Sequence, residues 1–306
     1  FIIIYVDNLV IGGEHIADIN NMKKLLRPIR NEGHEGAPLF SRDRSNSGPS
    51  RNHDLQRHYI LDLLYKIGMT ECKPVATPLD CNLKLDANSG TEECEPTHYH
   101  QLGSSLIYLT ITRPDLSYPV SLLRQFMQTP RDIHLDCAKQ VLRYVSGTMD
   151  YGILYKWATL IRLQGYTDAN GTGYKADRRS TSRFFFSLGS EAISWSSKKQ
   201  PIIAMLSTKA EYRGATIAAC EDAWLKRILK DLCVPITDLL LLYSDNMSSI
   251  HLARNLVFHT RTKHIEVHYH FIRKRVMVGD VNLQHINMNL QTTDIFTTSC
   301  NCSRQT

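Results

Sequence analysis

The spacing of apolar residues after residue 160 limits the possible folds more than any other feature of the chain. Three short runs rich in β-branched or aromatic residues follow one another closely, which predicts three strands in a meander. These strands are Leu160–Thr167, Arg183–Leu188 and Ala192–Ser196. Helical spacing then predicts two helices, at 208–219 and 222–232.

The last part of the chain continues to alternate between strand and helix patterns. We expect a fourth strand, a helix, a fifth strand and a closing helix, at Leu239–Ser244, 265–278, Val281–Ile286 and from about 291. The second half of the chain is therefore predicted to be an α/β unit with five strands.

The first 97 residues give a weaker pattern. Two apolar runs, Phe1–Val6 and Leu9–Ile11, flank a polar pair and predict a β-hairpin. Residues 28–58 contain few apolar side chains, so we expect them to form a disordered loop. A short amphipathic helix is predicted from Tyr59 to Ile67, and residues 71–97, with three prolines and no sustained period, resemble a linker.

Residues 98–150 predict three helices. Leucines at helical spacing end at the breaker Pro114, a second helical run ends at Pro130, and a third ends at Gly147. Together with the length of 306 residues and the 42% hydrophobic content, this organisation is typical of two globular domains.

Charge and cysteine content exclude little but give a direction. The net charge of +6 permits a polyanionic partner without requiring one. The eight cysteines show no zinc-ligand spacing, and the apolar N-terminal run is too short to span a bilayer. We therefore expect an intracellular protein, cytoplasmic or nuclear, that is neither secreted nor attached to a membrane. The start inside a strand pattern, without Met, suggests a fragment.

Four carboxylates stand where the chain changes from one element to the next. They are Asp168, Glu211, Asp245 and Asp294. Residues at strand ends and on a facing helix can converge at one sheet edge, and carboxylates brought together repel each other unless cations neutralise them. Oxygen ligands suit Mg²⁺ or Mn²⁺, and two such ions can support phosphodiester cleavage. The alternative is that these are ordinary surface acids, since the chain has 30 of them.

Several segments around these residues carry a family resemblance. They are Tyr166–Ala169, Asp177–Ser182, Ile193–Gln200, Ala210–Tyr212, Asp245–Asn246, Arg261–Ile265 and Asp294–Thr297. In order and spacing they closely resemble the ribonuclease H domain of copia-type retrotransposon polyproteins, over nearly all of residues 160–298. The resemblance implies a five-stranded mixed sheet flanked by helices. It also implies that Asp168, Glu211, Asp245 and Asp294 are a catalytic quartet that binds two Mg²⁺ or Mn²⁺ ions.

Upstream segments resemble the reverse transcriptase of the same polyproteins. Tyr5-Val6-Asp7-Asn8 is similar to the polymerase hairpin, and Lys73–Leu79 and Thr110–Asp115 match the segments that come after it. The resemblance implies a truncated palm fragment over 1–70 with Asp7 as the polymerase remnant. A linker over 71–97, a helical thumb- or connection-like region over 98–156 and the ribonuclease H-like domain over 160–298 would come next.

Departures from the family pattern decide which activity to expect. Asn8 replaces the second carboxylate of the polymerase hairpin, so nucleotide addition by this chain is not expected. In the ribonuclease H part the changes are lighter: Asn170 stands where an acid is usual, and Arg183 and Glu191 stand where glycines are usual.

Two functional hypotheses remain open, with polymerase activity a distant third. The first is metal-dependent cleavage of the RNA strand in an RNA–DNA hybrid, with other parts of the retroelement polyprotein as further partners. The second is a catalytically inactive fragment that binds nucleic acid weakly at most. A separate zinc site at His264, His268 and His270 is a weaker alternative to helix packing, because no cysteine joins these residues.

Overall fold

The computed structural model describes most of the chain after residue 50. The described residues are 2–5, 8–11, 51–80, 83, 85–86, 90, 92, 94–153, 162–170, 178–204, 206–234, 236, 238–255 and 266–293. The helices are α1 (Arg51–Ile67), α2 (Pro96–Leu109), α3 (Ser117–Leu123), α4 (Asp132–Gly147), α5 (Ser207–Asp231), α6 (Met247–Arg254) and α7 (Glu266–Val278). The strands are β1 (Ile2–Tyr5), β2 (Asn8–Ile11), β3 (Leu163–Ala169), β4 (Thr181–Leu188), β5 (Glu191–Lys199), β6 (Leu240–Ser244) and β7 (Val281–His285).

The second half of the chain forms the expected five-stranded mixed sheet, in the order β5-β4-β3-β6-β7. The meander β3-β4-β5 is antiparallel, whereas β6 pairs in parallel with both β3 and β7. Buried and less buried residues alternate along β3 and β6, as expected for strands whose two faces differ in burial. The predicted α/β fold with a mixed sheet is therefore confirmed.

A single long helix, α5, lies on this sheet where two helices were predicted. That prediction was wrong because Glu221 and Asp222 interrupt the apolar pattern. Both acids are accommodated inside the helix: Ser194 donates a hydrogen bond to Glu221 (2.6 Å), and Asp222, fully buried, pairs with Arg275 of α7 (2.7 Å). Because tertiary partners satisfy the two acids, the helix continues through them.

The first half of the chain has its own hydrophobic core. Helices α1 to α4 contribute its buried side chains, with Leu64, Leu106 and Val141 at its centre. Leu79 and Leu85, from the stretch expected to be a linker, are buried in the same core. The helices of residues 98–150 agree with the sequence pattern, and a second core lies between the sheet, α5, α6 and α7.

The expectation of disorder over residues 28–58 is wrong for residues 51–58, which form the first half of α1. Two polar side chains anchor this half: Gln56 donates to the carbonyl of Tyr151, and Arg57 pairs with Asp150. The low apolar content of this segment therefore did not reveal its helix, whose contacts with Tyr151 and Asp150 are polar. Residues 28–50 lie outside the described residues.

The N-terminal hairpin is present as two antiparallel strands. Tyr5 pairs with Asn8, so Asn8 belongs to β2 rather than to the tip of the turn. Asp7 lies outside the described residues. Within the part of the chain that the structure describes, no helix combines the length and the apolar character that crossing a bilayer requires.

The two cores meet where α3 packs against β5. Trp195 of β5 donates its indole N–H to the carbonyl of Thr110 (2.9 Å), and Lys199 donates to the side chain of Gln125 (2.7 Å). On the neighbouring strand, the guanidinium of Arg183 lies 5.9 Å from the ring centre of Tyr118 in α3. The helical region therefore contacts the sheet through directed polar contacts.

A buried arginine joins the ends of the helices in the first core. The side chain of Arg113 is fully buried and donates two hydrogen bonds to Asp115, at 2.9 and 2.7 Å. It also donates to the carbonyl and the hydroxyl of Thr148, each at 2.8 Å. The guanidinium thus ties the segment after α2 to the end of α4.

Replacing Arg113 with Met should lower the free energy of unfolding by about 3–5 kcal/mol, because it removes one partner of a largely buried ion pair. Arg57→Met is the matched control, since its pair with Asp150 is exposed on both sides. We expect that control to change stability by about 0.5 kcal/mol or less. Urea denaturation of both variants measures the difference, and equal losses would contradict the structural role of Arg113.

Candidate metal-binding site at the sheet edge

Two strands deliver carboxylates to the same edge of the sheet. Asp168 is the second-last residue of β3, and Asp245 directly follows β6. The two strands are parallel neighbours in which Tyr166 pairs with Tyr243, so Asp168 and Asp245 stand at the same level two residues further on. Just beyond, Asn246 caps α6 by accepting a hydrogen bond from the Ser249 N–H (2.9 Å), which fixes the turn after Asp245.

The third carboxylate comes from α5, which lies close against β3. Gly214 permits this approach, because a Cβ there would meet the Thr167 hydroxyl at 3.3 Å. Glu211, one turn earlier, accepts a hydrogen bond from the Ala169 N–H (3.1 Å). The helix therefore holds the Glu211 carboxylate beside the end of β3.

The structure brings three of the four carboxylates predicted for the site together. Asp168, Glu211 and Asp245 each present one oxygen, and these three oxygens lie within 4.8 Å of one another. Glu211 is buried, and the two aspartates are partly exposed. The cluster is therefore enclosed by protein on the side of Glu211 and accessible to solvent on the side of the two aspartates. Asp294, the fourth predicted member, lies outside the described residues.

Burial and the crowding of negative charge raise the pKa of Glu211. Burial, followed by repulsion from Asp168 and Asp245, raises the pKa of the Glu211 carboxyl to about 9, and the Ala169 N–H opposes this only in part. Without a cation, the folded protein therefore keeps a proton on Glu211 at neutral pH. These three carboxyl groups cannot all be ionised together without a cation. Their converging oxygens are ligands of the type that a hard divalent cation prefers.

An arginine also enters the site, which the sequence analysis did not anticipate. Arg183 of β4 pairs directly across from Asp168 of β3, and its Nη1 lies 2.6 Å from the Asp168 Oδ2. Its side chain is 6% exposed and that of Asp168 is 15% exposed, so this ion pair is largely shielded from water. The register of the β3-β4 hairpin was the missing information, since opposite residues on paired strands interact.

The remaining candidate residues cannot be placed in this site. Asp7 of the polymerase-like hairpin is outside the described residues. The same applies to His264, and the side chains of His268 and His270 belong to the part that the structure does not describe. Within the described residues, Asp168, Glu211 and Asp245 form the group of potential metal ligands.

Comparison with known proteins supplies the family. No family model matches the sequence. The chain is 38% identical over 298 residues, 97% of its length, to the retrovirus-related Pol polyprotein from transposon RE1 of Arabidopsis thaliana. It is 34% identical over 249 residues, 79% of its length, to that from transposon TNT 1-94 of Nicotiana tabacum. A Saccharomyces cerevisiae protein named after transposon Ty5-1 is 30% identical over 230 residues, 72% of this chain and 73% of that protein.

Solved structures give a more distant likeness. LC11-RNase H1 in complex with an RNA/DNA hybrid is 13% identical, with a TM-score of 0.33 over 43% of this chain and 89% of that one. The foamy viral protease-reverse transcriptase in complex with an RNA/DNA hybrid is 10% identical, with a TM-score of 0.46 over 94% of this chain and 36% of that one. Likenesses this weak support no conclusion about activity.

The sheet order and the helix across it define the class: the second half of the chain is an α/β unit in which helices flank a five-stranded mixed sheet, the architecture that the resemblance to ribonuclease H implied. The particular family is given by the relatives. The chain belongs to the copia-type retrotransposon Pol polyproteins, as the sequence motifs predicted. It spans about a fifth of the length of the RE1 and TNT 1-94 polyproteins.

Replacing Glu211 with Gln should change how stability depends on pH in metal-free protein. The folded-state pKa of Glu211 lies above the value of 4.5 for a free carboxyl. Its contribution to stability is therefore complete below pH 4.5 and is lost as the pH rises towards 9. In this window the parent should lose up to about 1.4 kcal/mol per pH unit relative to Glu211→Gln.

Urea denaturation at several pH values in the presence of a chelator measures this difference. Asp231→Asn is the matched control, because Asp231 is an exposed carboxylate at the other end of the same helix. The control should behave like the parent. If Glu211→Gln also behaved like the parent at every pH, the account of charge crowding at this edge would be wrong.

Proposed function

We propose that the ribonuclease H-like part of this chain cleaves the RNA strand of RNA–DNA hybrids with the help of two Mg²⁺ or Mn²⁺ ions. The observation that carries this proposal is the convergence of three carboxylate oxygens within 4.8 Å at one sheet edge. Burying a carboxyl group beside two others lowers the stability of the fold unless a cation neutralises the charge. A purely structural site would gain nothing from this arrangement.

Each residue of the cluster has a distinct place in the proposed reaction. Asp168, at the end of the central strand, would hold the ions together with Glu211 and Asp245. Asp294, predicted at the start of the closing helix, would assist on the side of the attacking water. When bound, the two cations supply an activated water and stabilise the leaving oxygen.

The choice of substrate rests on the family and on the charge around the site. Lys199 of β5 pairs with Thr181 at the start of β4, and this strand end lies on the same sheet edge as the carboxylates. Arg178, just before β4, is exposed. Such cations suit phosphate contacts, and a hybrid would be recognised by its shape and its 2′-hydroxyls rather than by its sequence.

The polymerase half is not proposed to be active. Asn8 occupies the position of a metal-binding carboxylate in the hairpin that the family resemblance identifies. We assign residues 1–70 to a palm fragment, 71–97 to a linker that packs Leu79 and Leu85 into the first core, 98–156 to a thumb- or connection-like region and 160–298 to the ribonuclease H-like domain.

A catalytically inactive fragment is the second candidate, because one observation favours it. Arg183 already occupies an oxygen of Asp168, so part of the ligand set is engaged by a protein cation. Under this alternative, the chain would bind nucleic acid weakly and cleave nothing. Direct measurement of cleavage separates the two candidates.

With Mg²⁺ or Mn²⁺, the purified full chain should cleave the labelled RNA strand of an RNA–DNA hybrid. Asp245→Asn removes a proposed ligand while keeping nearly the same shape. Because even residues that only support metal ligands cost 10- to 100-fold when replaced, we expect a loss of about 100-fold or more. Gel analysis of the cleaved RNA gives both rates.

The controls identify the source of any cleavage. A chelator should abolish the activity of the parent, and a matched DNA duplex should remain intact. Metal-independent cleavage, or equal rates in the parent and Asp245→Asn, would contradict the proposal. Absence of cleavage by a folded parent in both metals would favour the inactive fragment.

A further inference from the structure

Two neighbours define the position of Arg183 in the site, a carboxylate and an aromatic ring. Its Nη1 donates to the Asp168 Oδ2 at 2.6 Å. The aromatic ring of Tyr118, from the helical region, lies on another side at 5.9 Å from the guanidinium carbon. Among the described residues, no acceptor contacts the Arg183 Nε, although this atom is buried. The guanidinium is therefore held by one strong polar partner, Asp168.

The location of this contact matters because Asp168 belongs to the carboxylate cluster and lies on β3, the central strand of the sheet. An arginine cannot lose its charge in a protein, so the guanidinium is a permanent cation at this oxygen. A carboxylate oxygen engaged by a cation at 2.6 Å is occupied for any second cation that approaches from the same side. A divalent ion near Asp168 would also be repelled by the fixed positive charge.

We propose that Arg183 is an internal cation that competes with divalent metal for Asp168, so that metal binding requires the guanidinium to move off this carboxylate. The inference deepens the proposed function and rests on it, since it concerns the same metal site. Tyr118 gives the displaced guanidinium an aromatic face on which it can remain. The helical region therefore shapes the affinity of the site for metal.

The competition predicts the effect of removing the charge. Arg183→Gln keeps an amide that can donate to Asp168 but removes the cation, so the dissociation constant for Mn²⁺ should fall by about tenfold or more. Arg227→Gln makes the same change in net charge at an exposed position on α5. It lies roughly 24 Å from Glu211 along the helix, where screening removes most of the effect. We expect the dissociation constant of that control to stay within about twofold of the parent value.

The full chain is titrated with Mn²⁺ alone, and electron paramagnetic resonance measures the concentration of free Mn²⁺. This readout is independent of cleavage. Far-UV circular dichroism and thermal unfolding confirm that each variant is folded. An Arg183→Gln dissociation constant equal to or larger than that of the parent would overturn the inference, while measurable binding would leave the proposed metal site intact. If neither protein bound Mn²⁺, both the inference and the proposed function would fail.

A second measurement applies if Arg183→Gln does not fold. In the parent labelled with ¹⁵N-arginine, nuclear magnetic resonance monitors the Nε–H signal of Arg183 while Mg²⁺ is added. Displacement from Asp168 predicts that this signal shifts with a dependence on Mg²⁺ that matches binding. A signal that stays unchanged at saturating Mg²⁺ would show that the guanidinium does not move, and would overturn the inference.

Discussion

The confinement of negative charge at one sheet edge is the constraint on which the rest of the site depends. Three carboxylate oxygens lie within 4.8 Å, and Glu211 among them is buried. Such a cluster persists only if its surroundings hold it together. The parallel register of β3 and β6 aligns the two aspartates, and the close packing of α5 at Gly214 holds Glu211 beside them. In the metal-free protein, a proton on Glu211 and the guanidinium of Arg183 offset the charge.

The sequence predicted most of this architecture, because it depends on local patterns. Short runs of apolar residues identified β3 and β6, and the three carboxylates stood out because each lies at an element boundary or on a facing helix. What the sequence could not show depends on tertiary partners. The continuity of α5 through Asp222 requires Arg275, which is 53 residues away along the chain. The first half of α1 makes polar contacts with Tyr151 and Asp150, which are also far away in sequence.

The pairing of Arg183 with Asp168 shows the same limit within the site itself. The identity of Arg183 was visible, but its effect depends on which residue stands opposite on β3, and a shift of one residue would turn its side chain to the other face. The contact with Tyr118 depends further on how α3 packs against the sheet. The helical region is therefore part of the environment of the site, although no sequence motif links them.

The position of bound metal tests the central claim most directly. Crystals of the full chain soaked in Mn²⁺ should show anomalous density at the edge formed by the ends of β3 and β6. The ion should lie roughly 2 Å from carboxylate oxygens of Asp168, Glu211 and Asp245. Anomalous density elsewhere, with none at this edge, would contradict the account, as would carboxylates that point away from one another in the experimental structure.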